Sequence, residues 1–265
     1  MIDKLKYYIK KNIFLIHFAH KIISLLGLNF EKEYKIIKFI KKKNIKIFDV
    51  GAHLGESIRG FQFARKNIKI FSFEPNYEIF LKLKKKFKDD KNIIIYNDLL
   101  MDIEESFDFY VPKINNIELT YMGSTFQNRI KQRFDHFFDL NTENLTYVKK
   151  TIKSKTIDQI NVDVDLIKID TEGSELQVLI GSQKTIIKNS PILIIEFNHN
   201  NFEDILSFMK KLGYKAFLLN KNEFIELNKV SIDEINSFRN QINIVYFNDL
   251  AINKLSDSAF EFKYN

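Results

Sequence analysis

Short apolar segments alternate with amphipathic segments along most of the chain, and this alternation constrains the fold more than any other feature. In the first half, strands are predicted at Ile45–Val50, Lys69–Glu74 and Asn92–Asn97, and helices at Glu56–Lys66 and Tyr77–Lys88. Strands and helices that alternate in this way pack as a parallel sheet covered by helices. With 265 residues, of which 45% are hydrophobic, the chain can bury the core that such a sheet needs.

The alternation returns in the second half of the chain. Further strands are predicted at Asp165–Asp170, Pro191–Phe197, Tyr214–Leu219 and Ile242–Asn248, and helices at Ser174–Lys188 and Phe202–Leu212. Residues 106–150 break this rhythm. The sequence there predicts strands at Phe107–Pro112, Leu119–Phe126 and Thr146–Ile152 and a helix at Asn128–Phe138. We interpret residues 106–150 as an insertion that lies over the carboxyl edge of the sheet.

Residues 1–43 are predicted to form a basic helical arm or cap, and residues 44–265 one domain. Residues 1–46 hold 12 Lys and 3 acidic residues, a net charge of +9, whereas the remaining residues carry −2. A nucleic-acid enzyme usually carries its basic groove on the body of the domain, so we expect no nucleic-acid partner. The apolar stretch Ile13–Phe30 is too short and too polar to span a membrane. Two interpretations of the arm stay open, a cap packed on the domain and peripheral contact with an anionic membrane surface.

The chain has no Cys, which excludes disulfides, thiolate zinc sites, iron–sulfur clusters and a catalytic thiol. This composition fits a reducing compartment. We therefore expect a cytoplasmic protein, whose basic arm would allow contact with the inner face of the membrane.

A glycine turn follows the first predicted strand, in the segment D-V-G-A-H-L-G at residues 49–55. Gly51 and Gly55 would let the backbone approach a ligand closely. A dinucleotide-binding turn has the spacing G-x-G-x-x-G, and the positions that would need glycine hold His53 and Glu56 instead. Asp49 ends the strand, where it can accept a hydrogen bond from a ligand ammonium group, whereas its charge would repel a phosphate.

Two more acidic turns follow predicted strands. Glu74 ends the second strand, and its two carboxylate oxygens can bind both hydroxyls of a ribose, although an acid before a helix is the simpler interpretation. Because Asp49 and Glu74 end consecutive parallel strands, they lie at one edge of the sheet. The segment D-T-E-G-S-E at residues 170–175 reaches the same edge. It places Asp170 and Glu172 in the turn itself, while Glu175 begins a helix, where a carboxylate suits the helix dipole.

Six segments together resemble the FkbM family of S-adenosylmethionine-dependent methyltransferases. They are IFDVGAHLGES at 47–57, FSFEPNYEIFLKL at 71–83, NIIIYNDLLMD at 92–102, TIDQI at 156–160, LIKIDTEGSELQVLIGS at 166–182 and PILIIEFN at 191–198. The resemblance covers roughly residues 44–248, and the D-x-E-G-x-E block is its most specific part. It implies an α/β fold of the Rossmann-like class I type, with a seven-stranded, mostly parallel sheet whose last strand is antiparallel.

The resemblance also implies S-adenosylmethionine as the cofactor. It implies cofactor contacts at Asp49, Gly51, Gly55 and Glu74 and around Asn97–Leu99. We add His53, Asp98 and Asp170 as further candidate cofactor contacts. Two of these depart from the family pattern, because His53 stands where many members carry Asn and Asp98 where a small residue is common. A site rich in carboxylates suits a sulfonium cofactor with an ammonium group better than it suits a pyrophosphate.

The implied reaction is methyl transfer, for which an O-methyltransferase acting on a sugar hydroxyl is the expectation. The acceptor would be a surface glycan or a secondary metabolite, bound at the insertion. A hydroxyl acceptor benefits from a general base, and the candidates are Asp170, Glu172 and His199, with Glu196 beside them. We predict no dedicated metal site, although two carboxylates in one turn could also hold Mg²⁺.

Two other functions stay open at the level of sequence. A nicotinamide-dependent oxidoreductase would share the Rossmann-like fold, but the failed G-x-G-x-x-G spacing counts against it. A non-catalytic partner in glycan assembly could retain the cofactor pocket, but the intact acids Asp49, Glu74, Asp170 and Glu172 count against that function.

Overall fold

The computed structural model describes residues 31–114, 117–131, 145–227, 243–256 and 260–264. The strands are β1 (Ile45–Val50), β2 (Ile68–Phe73), β3 (Ile93–Tyr96), β4 (Leu99–Leu100), β5 (Ser106–Ile114), β6 (Ile117–Glu118), β7 (Leu145–Lys155), β8 (Leu166–Ile169), β9 (Ile192–Glu196), β10 (Lys215–Asn220), β11 (Glu223–Glu226), β12 (Asn243–Phe247) and β13 (Glu261–Lys263). The α-helices are α1 (Glu56–Ala64), α2 (Tyr77–Lys86), α3 (Glu175–Ile180), α4 (Gln183–Asn189), α5 (Phe202–Lys211) and α6 (Asp249–Ile252).

The larger of two sheets confirms the predicted fold class. Within the described ranges its strand order is β13-β11-β10-β12-β9-β8-β1-β2-β3. The strands from β9 to β3 in this order run parallel, and β12 runs antiparallel to both of its neighbours. This is a Rossmann-like sheet with a late antiparallel strand, and it brings the carboxyl ends of β1, β2 and β8 to one edge.

The predicted number of seven strands is wrong, because the described part of this sheet has nine. β10 turns into β11 through a two-residue hairpin in which Lys221 has a φ of 56°, and β13 then pairs with β11. Aromatic packing holds these edge strands. The Phe262 ring stacks 5.2 Å from Phe224 and meets Phe217 edge-on at 5.5 Å. These ring contacts join residues that are far apart in the sequence. The short edge strands therefore depend on distant residues, and no strong local hydrophobic pattern predicts them.

Hydrophobic side chains fill both faces of the sheet. On one face Ile47 of β1 packs in a cluster with Ile58 and Phe61 of α1. On the other face Ile167 of β8 packs in a cluster with Val178 of α3 and with side chains of α4 and α5. Every residue of β8 is buried, as expected for a central strand covered on both faces.

A 3₁₀-helix at Lys32–Phe39 precedes β1 and belongs to the core. Tyr34, Ile36 and Ile37 are buried there, and the Tyr34 ring lies 4.5 Å from the Phe61 ring. The first 30 residues of the predicted arm lie outside the described residues. In the ranges that the structure describes, no helix is long and apolar enough to cross a membrane.

The segment between β4 and β7 forms a smaller sheet of order β4-β7-β5-β6. The strands predicted at Phe107–Pro112 and Thr146–Ile152 are confirmed within β5 and β7, which pair in antiparallel fashion. The strand predicted at Leu119–Phe126 is wrong. After β6 the chain folds into a short 3₁₀ turn, and an isolated bridge then pairs Ser124 with Tyr110 of β5. The predicted helix Asn128–Phe138 runs beyond residue 131, outside the described residues.

The helix predicted at Ser174–Lys188 is interrupted, and the structure has α3 and α4 in its place. Gly181 lies at the break, where a Cβ would come within 2.1 Å of the Met101 carbonyl oxygen. The backbone of another segment therefore packs directly on this position. Apolar periodicity continues through the break, so a pattern-based prediction joins the two helices.

Candidate active site

Asp49 belongs to a row of buried polar side chains at the carboxyl edge of the sheet. The strand register places it beside Ser72 of β2 and Lys168 of β8. Its Oδ2 atom accepts hydrogen bonds from Ser57 Oγ at 2.7 Å and Ser72 Oγ at 3.3 Å. Burial raises the pKa of Asp49, opposed by the Lys168 charge and the Ser57 hydrogen bond. In the described part of the chain Oδ1 has no hydrogen-bond partner and lies 3.8 Å from Lys168 Nζ, so it can still accept from a ligand amino group.

Lys168 is the buried cation of this site. Its side chain is 4% exposed, and Nζ donates a hydrogen bond to Asp170 Oδ2 at 2.9 Å. Burial alone lowers the pKa of Lys168, but the surrounding carboxylates more than offset that effect and raise it. This residue is not among the site residues predicted from the sequence. A signal was present, because a lysine between Ile167 and Ile169 in a fully buried strand requires a charged partner.

The glycine turn after β1 packs against the turn after β8. The N–H groups of Gly51 and Ala52 both donate to the Phe73 carbonyl oxygen, at 3.0 and 3.1 Å, which ties the turn to β2. Gly51 has a φ of 80°, and a Cβ there would lie 1.7 Å from the Asp170 carbonyl oxygen. Gly55, with a φ of 82°, packs on the Phe87 ring. Contacts within the protein therefore account for both glycines.

Glu74 connects the turn after β1 to the turn after β2. Its Oε2 atom accepts the N–H of His53 at 2.9 Å, and Oε1 accepts the N–H of Asn76 at 2.8 Å. Burial raises the pKa of Glu74, while the His53 charge and these two N–H groups oppose the rise. Each carboxylate oxygen has a second lone pair, so the two backbone contacts leave acceptors for ribose hydroxyls.

His53 adopts a φ of 46°, in the left-handed region, and sits between two acids. Its Nδ1 atom lies 3.6 Å from Glu56 Oε2. Burial lowers the pKa of His53, but hydrogen bonding to Glu56 and the charges of Glu56 and Glu74 raise it overall. Its Nε2 atom is buried and, among the described residues, has no hydrogen-bond partner. It is therefore a second polar atom at this edge that a ligand could engage.

Asn97 and Asp98 lie after β3, and the structure gives each a local role. The Asn97 amide donates to the carbonyl oxygens of Glu74 and Pro75, at 2.8 and 3.1 Å. Asp98 pairs with Lys155 at 2.9 Å. Asn97 thus holds the segment that carries Glu74. Direct cofactor contacts of Asn97 and Asp98 stay predictions.

Glu175 organises the acidic turn after β8. It is fully buried, and its Oε1 atom accepts the N–H groups of Thr171 at 3.1 Å and Gly173 at 2.9 Å. Its Oε2 atom accepts from the Asn201 amide at 2.8 Å. The sequence alone predicts for Glu175 only a favourable interaction with the helix dipole. These hydrogen bonds show that Glu175 fixes the turn that contains Glu172, whose φ is 58°.

The insertion contacts this same turn. Ser124 Oγ donates to the Glu172 carbonyl oxygen at 2.9 Å, and the hydroxyls of Thr125 and Ser174 are 2.7 Å apart. Arg129 donates a hydrogen bond to the side-chain oxygen of Asn198, which follows β9. Polar side chains of the insertion therefore border the carboxyl edge of the sheet.

His199 follows β9 and is exposed, with its ring 4.7 Å from the Phe197 ring in an edge-to-face contact. The structure thus brings Asp49 and Asp170 together around Lys168, joins Glu74 to His53, and leaves His199 at the solvent side of the same edge. In the described part of the chain there is no group of three or more His, Asp or Glu side chains that could hold a metal ion.

Residues 49–216 match the methyltransferase FkbM domain, which is more than half of the chain. The chain belongs to the FkbM methyltransferase family. S-adenosylmethionine is accordingly the cofactor of this chain. The residues at the carboxyl edge fit that group, because the unpartnered, buried Asp49 Oδ1 suits its ammonium and the Glu74 carboxylate suits its ribose. The family match also favours methyl transfer over the nicotinamide-dependent alternative.

Several solved methyltransferase structures are similar to this chain. The FkbM methyltransferase of Methylobacillus flagellatus is 18% identical, with 77% of this chain and 44% of that chain covered and a TM-score of 0.49. The precorrin-6y C5,15-methyltransferase of Geobacter metallireducens is 11% identical, with 81% and 85% covered and a TM-score of 0.41. The TehB-like S-adenosylmethionine-dependent methyltransferase of Corynebacterium glutamicum is 12% identical, with 88% and 96% covered and a TM-score of 0.41. The chain thus spans less than half of the Methylobacillus protein. No curated protein sequence matches it.

Proposed function

We propose that this FkbM methyltransferase methylates a hydroxyl group of a sugar, in a surface glycan or a secondary metabolite. The observation that supports this most is the contact between the acidic turn after β8 and the polar side chains of the insertion. Ser124 and Thr125 hold the turn, and Arg129 lies at the same edge. Hydroxyl, guanidinium and amide groups are suited to hydrogen bonds with a polyhydroxylated acceptor.

In the proposed site, Asp49, Glu74 and the turn anchored by Glu175 have separate roles. Asp49 accepts a hydrogen bond from the amino group of the cofactor, and Glu74 binds the ribose hydroxyls. When bound, S-adenosylmethionine supplies an electrophilic methyl group on a sulfonium centre. The Glu175-anchored turn and the insertion would hold the acceptor hydroxyl in line with that methyl group and exclude water.

A base must also take the proton of the acceptor hydroxyl. Asp170 is the less suitable candidate, because its Oδ2 atom already accepts from Lys168, and a carboxylate paired with an ammonium group is a weaker base. Glu172 lies in the turn that contacts the insertion, and His199 lies at the end of the neighbouring strand. We assign proton removal to Glu172 or His199, and to Asp170 a role in holding Lys168 and the cofactor side.

The function is tested in a strain from which the gene is deleted. We expect mass spectrometry of its surface glycans and secondary metabolites to show one species that lacks a single CH₂ increment, since one methyl group replaces one hydrogen. Expression of the wild-type chain should restore the increment, and expression of Glu74→Ala should not. A full restoration by Glu74→Ala, or unchanged glycans and metabolites in the deletion strain, would contradict the proposal.

A further inference from the structure

Residues 120–129 of the insertion cross the carboxyl edge of the larger sheet. At one end the Asn76 amide, which follows β2, donates a hydrogen bond to the Thr120 carbonyl oxygen at 3.4 Å. At the other end Arg129 donates to the side chain of Asn198, which follows β9. The strand order places β1 and β8 between these two contacts. The segment therefore runs from the half of the edge proposed for the cofactor to the half that holds the turn after β8.

The Arg129 side chain packs directly on the turn after β8. Gly173 in that turn has a φ of 116°, and a Cβ there would lie 3.3 Å from Arg129 Cγ and 3.4 Å from Arg129 Nε. The Phe126 ring would lie 3.5 Å from the same position. The glycine thus leaves room for the arginine, whose far end is fixed by the hydrogen bond from Nη1 to Asn198.

The charge of Arg129 has no partner of opposite sign in the part of the chain that the structure describes. Its hydrogen bond there goes to the neutral Asn198 amide, and no carboxylate forms an ion pair with it. Arg129 is half-buried, and burial lowers its pKa, which the charge of Glu175 opposes. The Glu175 carboxylate is itself engaged by backbone N–H groups and by the Asn201 amide. A positive charge and the other guanidinium N–H groups therefore stay available to a ligand.

The chemistry of this group favours an anionic ligand. A planar guanidinium can donate two parallel hydrogen bonds to a carboxylate or a phosphate, whereas neutral hydroxyl groups would leave its charge unpaired. The turn beneath it carries Asp170 and Glu172, whose charges would repel an anionic acceptor unless a cation held it. Arg129 supplies that cation on the β9 side of the turn.

We propose that Arg129 is a specificity-determining residue that binds an anionic group, a carboxylate or a phosphate, on the sugar that is methylated. This inference rests on the proposed function, which is methylation of a sugar hydroxyl. The acceptor class is then an acidic sugar, such as a uronic acid or a phosphorylated sugar. The anionic group stays unmodified, and its contact with Arg129 holds a hydroxyl of the same sugar beside the turn after β8.

The species that lacks a CH₂ increment in the deletion strain tests the acceptor class. Tandem mass spectrometry identifies the sugar that loses the methyl group, and its fragment masses distinguish a carboxylate from a phosphate. We expect that sugar to carry one of the two groups. A neutral sugar at this position overturns the inference and leaves the proposed function standing. Loss of the increment from a molecule without sugar, or no loss at all, overturns both.

Kinetics with the unmethylated acceptor isolated from the deletion strain tests Arg129 itself. Arg129→Met keeps an apolar stem against Gly173 but removes the charge, and the isosteric Asn198→Asp places a competing carboxylate beside the guanidinium. We expect each variant to raise KM for the acceptor by about 10- to 100-fold, with kcat lowered by less than about threefold, as for a lost charge-assisted hydrogen bond. Arg59→Met removes an exposed arginine of α1 and should change neither constant.

Calorimetry with S-adenosylhomocysteine separates the acceptor from the cofactor. Arg129→Met and Asn198→Asp should both bind it within about twofold of the wild type, because the proposed cofactor contacts lie on β1 and β2. Binding that is about tenfold weaker in Arg129→Met would assign the guanidinium to the cofactor carboxylate and overturns the inference. If Arg129→Met does not fold, Asn198→Asp decides, and an unchanged KM in that variant overturns the inference. Glu74→Ala tests the proposed cofactor site separately.

Discussion

Replacement of Gly51 by Ala is expected to abolish cofactor binding and to lower the free energy of unfolding by about 2–5 kcal/mol. Two physical causes add at this position. A φ of 80° is unfavourable for alanine, and the new Cβ would lie 1.7 Å from the Asp170 carbonyl oxygen. Because that oxygen is backbone, the turn after β1 or the turn after β8 must move. Urea denaturation gives the stability, and calorimetry with S-adenosylhomocysteine gives the binding.

Gly213 provides a matched control for this prediction. Its φ of 77° nearly equals that of Gly51, but a Cβ there would meet nothing within 4 Å. Gly213→Ala should therefore cost only the backbone strain, about 1 kcal/mol, with cofactor affinity unchanged. The difference in the free energy of unfolding between Gly51→Ala and Gly213→Ala measures the cost of the steric contact between the turn after β1 and the turn after β8. An equal loss of stability in both would contradict the description of the glycine turn.

Removal of the general base is expected to slow turnover by about 10²- to 10⁴-fold while cofactor affinity stays nearly intact. The variants are Glu172→Gln and His199→Ala, and one of them should show this pattern. Asp170→Asn should behave differently, because it also breaks the contact with Lys168 and so weakens cofactor binding. The measurement is release of S-adenosylhomocysteine with the acceptor that mass spectrometry identifies.

Two results would change this part of the mechanism. Near wild-type turnover in both Glu172→Gln and His199→Ala would reject a general base at these positions and leave positioning as the source of catalysis. Turnover that is lost to a chelator and restored by Mg²⁺ would make Glu172 and Asp170 metal ligands. Asp163→Asn, in an exposed ion pair with Lys188, serves as a control that should retain full turnover.

The parts of the fold that sequence predicts well are those whose signal is local. The strands β1, β2, β8 and β9 are short apolar runs followed by polar turns, and the structure places them within one or two residues of the prediction. The acids that end these strands meet at one edge because parallel strands share a direction. The sequence therefore predicts that Asp49, Glu74 and Asp170 lie near one another at this edge, whereas their assignment to the cofactor comes from the family resemblance.

The features that sequence misses depend on contacts between distant segments. The break at Gly181 is set by the Met101 carbonyl oxygen, and the hydrogen bond between Asn243 and Glu31 joins residues 212 positions apart. In the sequence, Glu175 resembles any acidic residue at the start of a helix. The structure shows that its side chain accepts hydrogen bonds from two backbone N–H groups. In each case the partner lies on another element, so no window of sequence contains the signal.

S-adenosylmethionine is proposed to bind at the carboxyl edge formed by Asp49, Gly51 and Glu74. Isothermal titration of the wild-type chain and of Glu74→Ala with S-adenosylmethionine tests it most directly, with NAD as the competing ligand. We predict saturable binding of S-adenosylmethionine to the wild type, much weaker binding of NAD, and a loss of about 10- to 100-fold in Glu74→Ala through lost charge-assisted hydrogen bonds. Equal affinity of the wild type and Glu74→Ala for S-adenosylmethionine, or tighter binding of NAD to the wild type, would show that the cofactor does not bind at this edge.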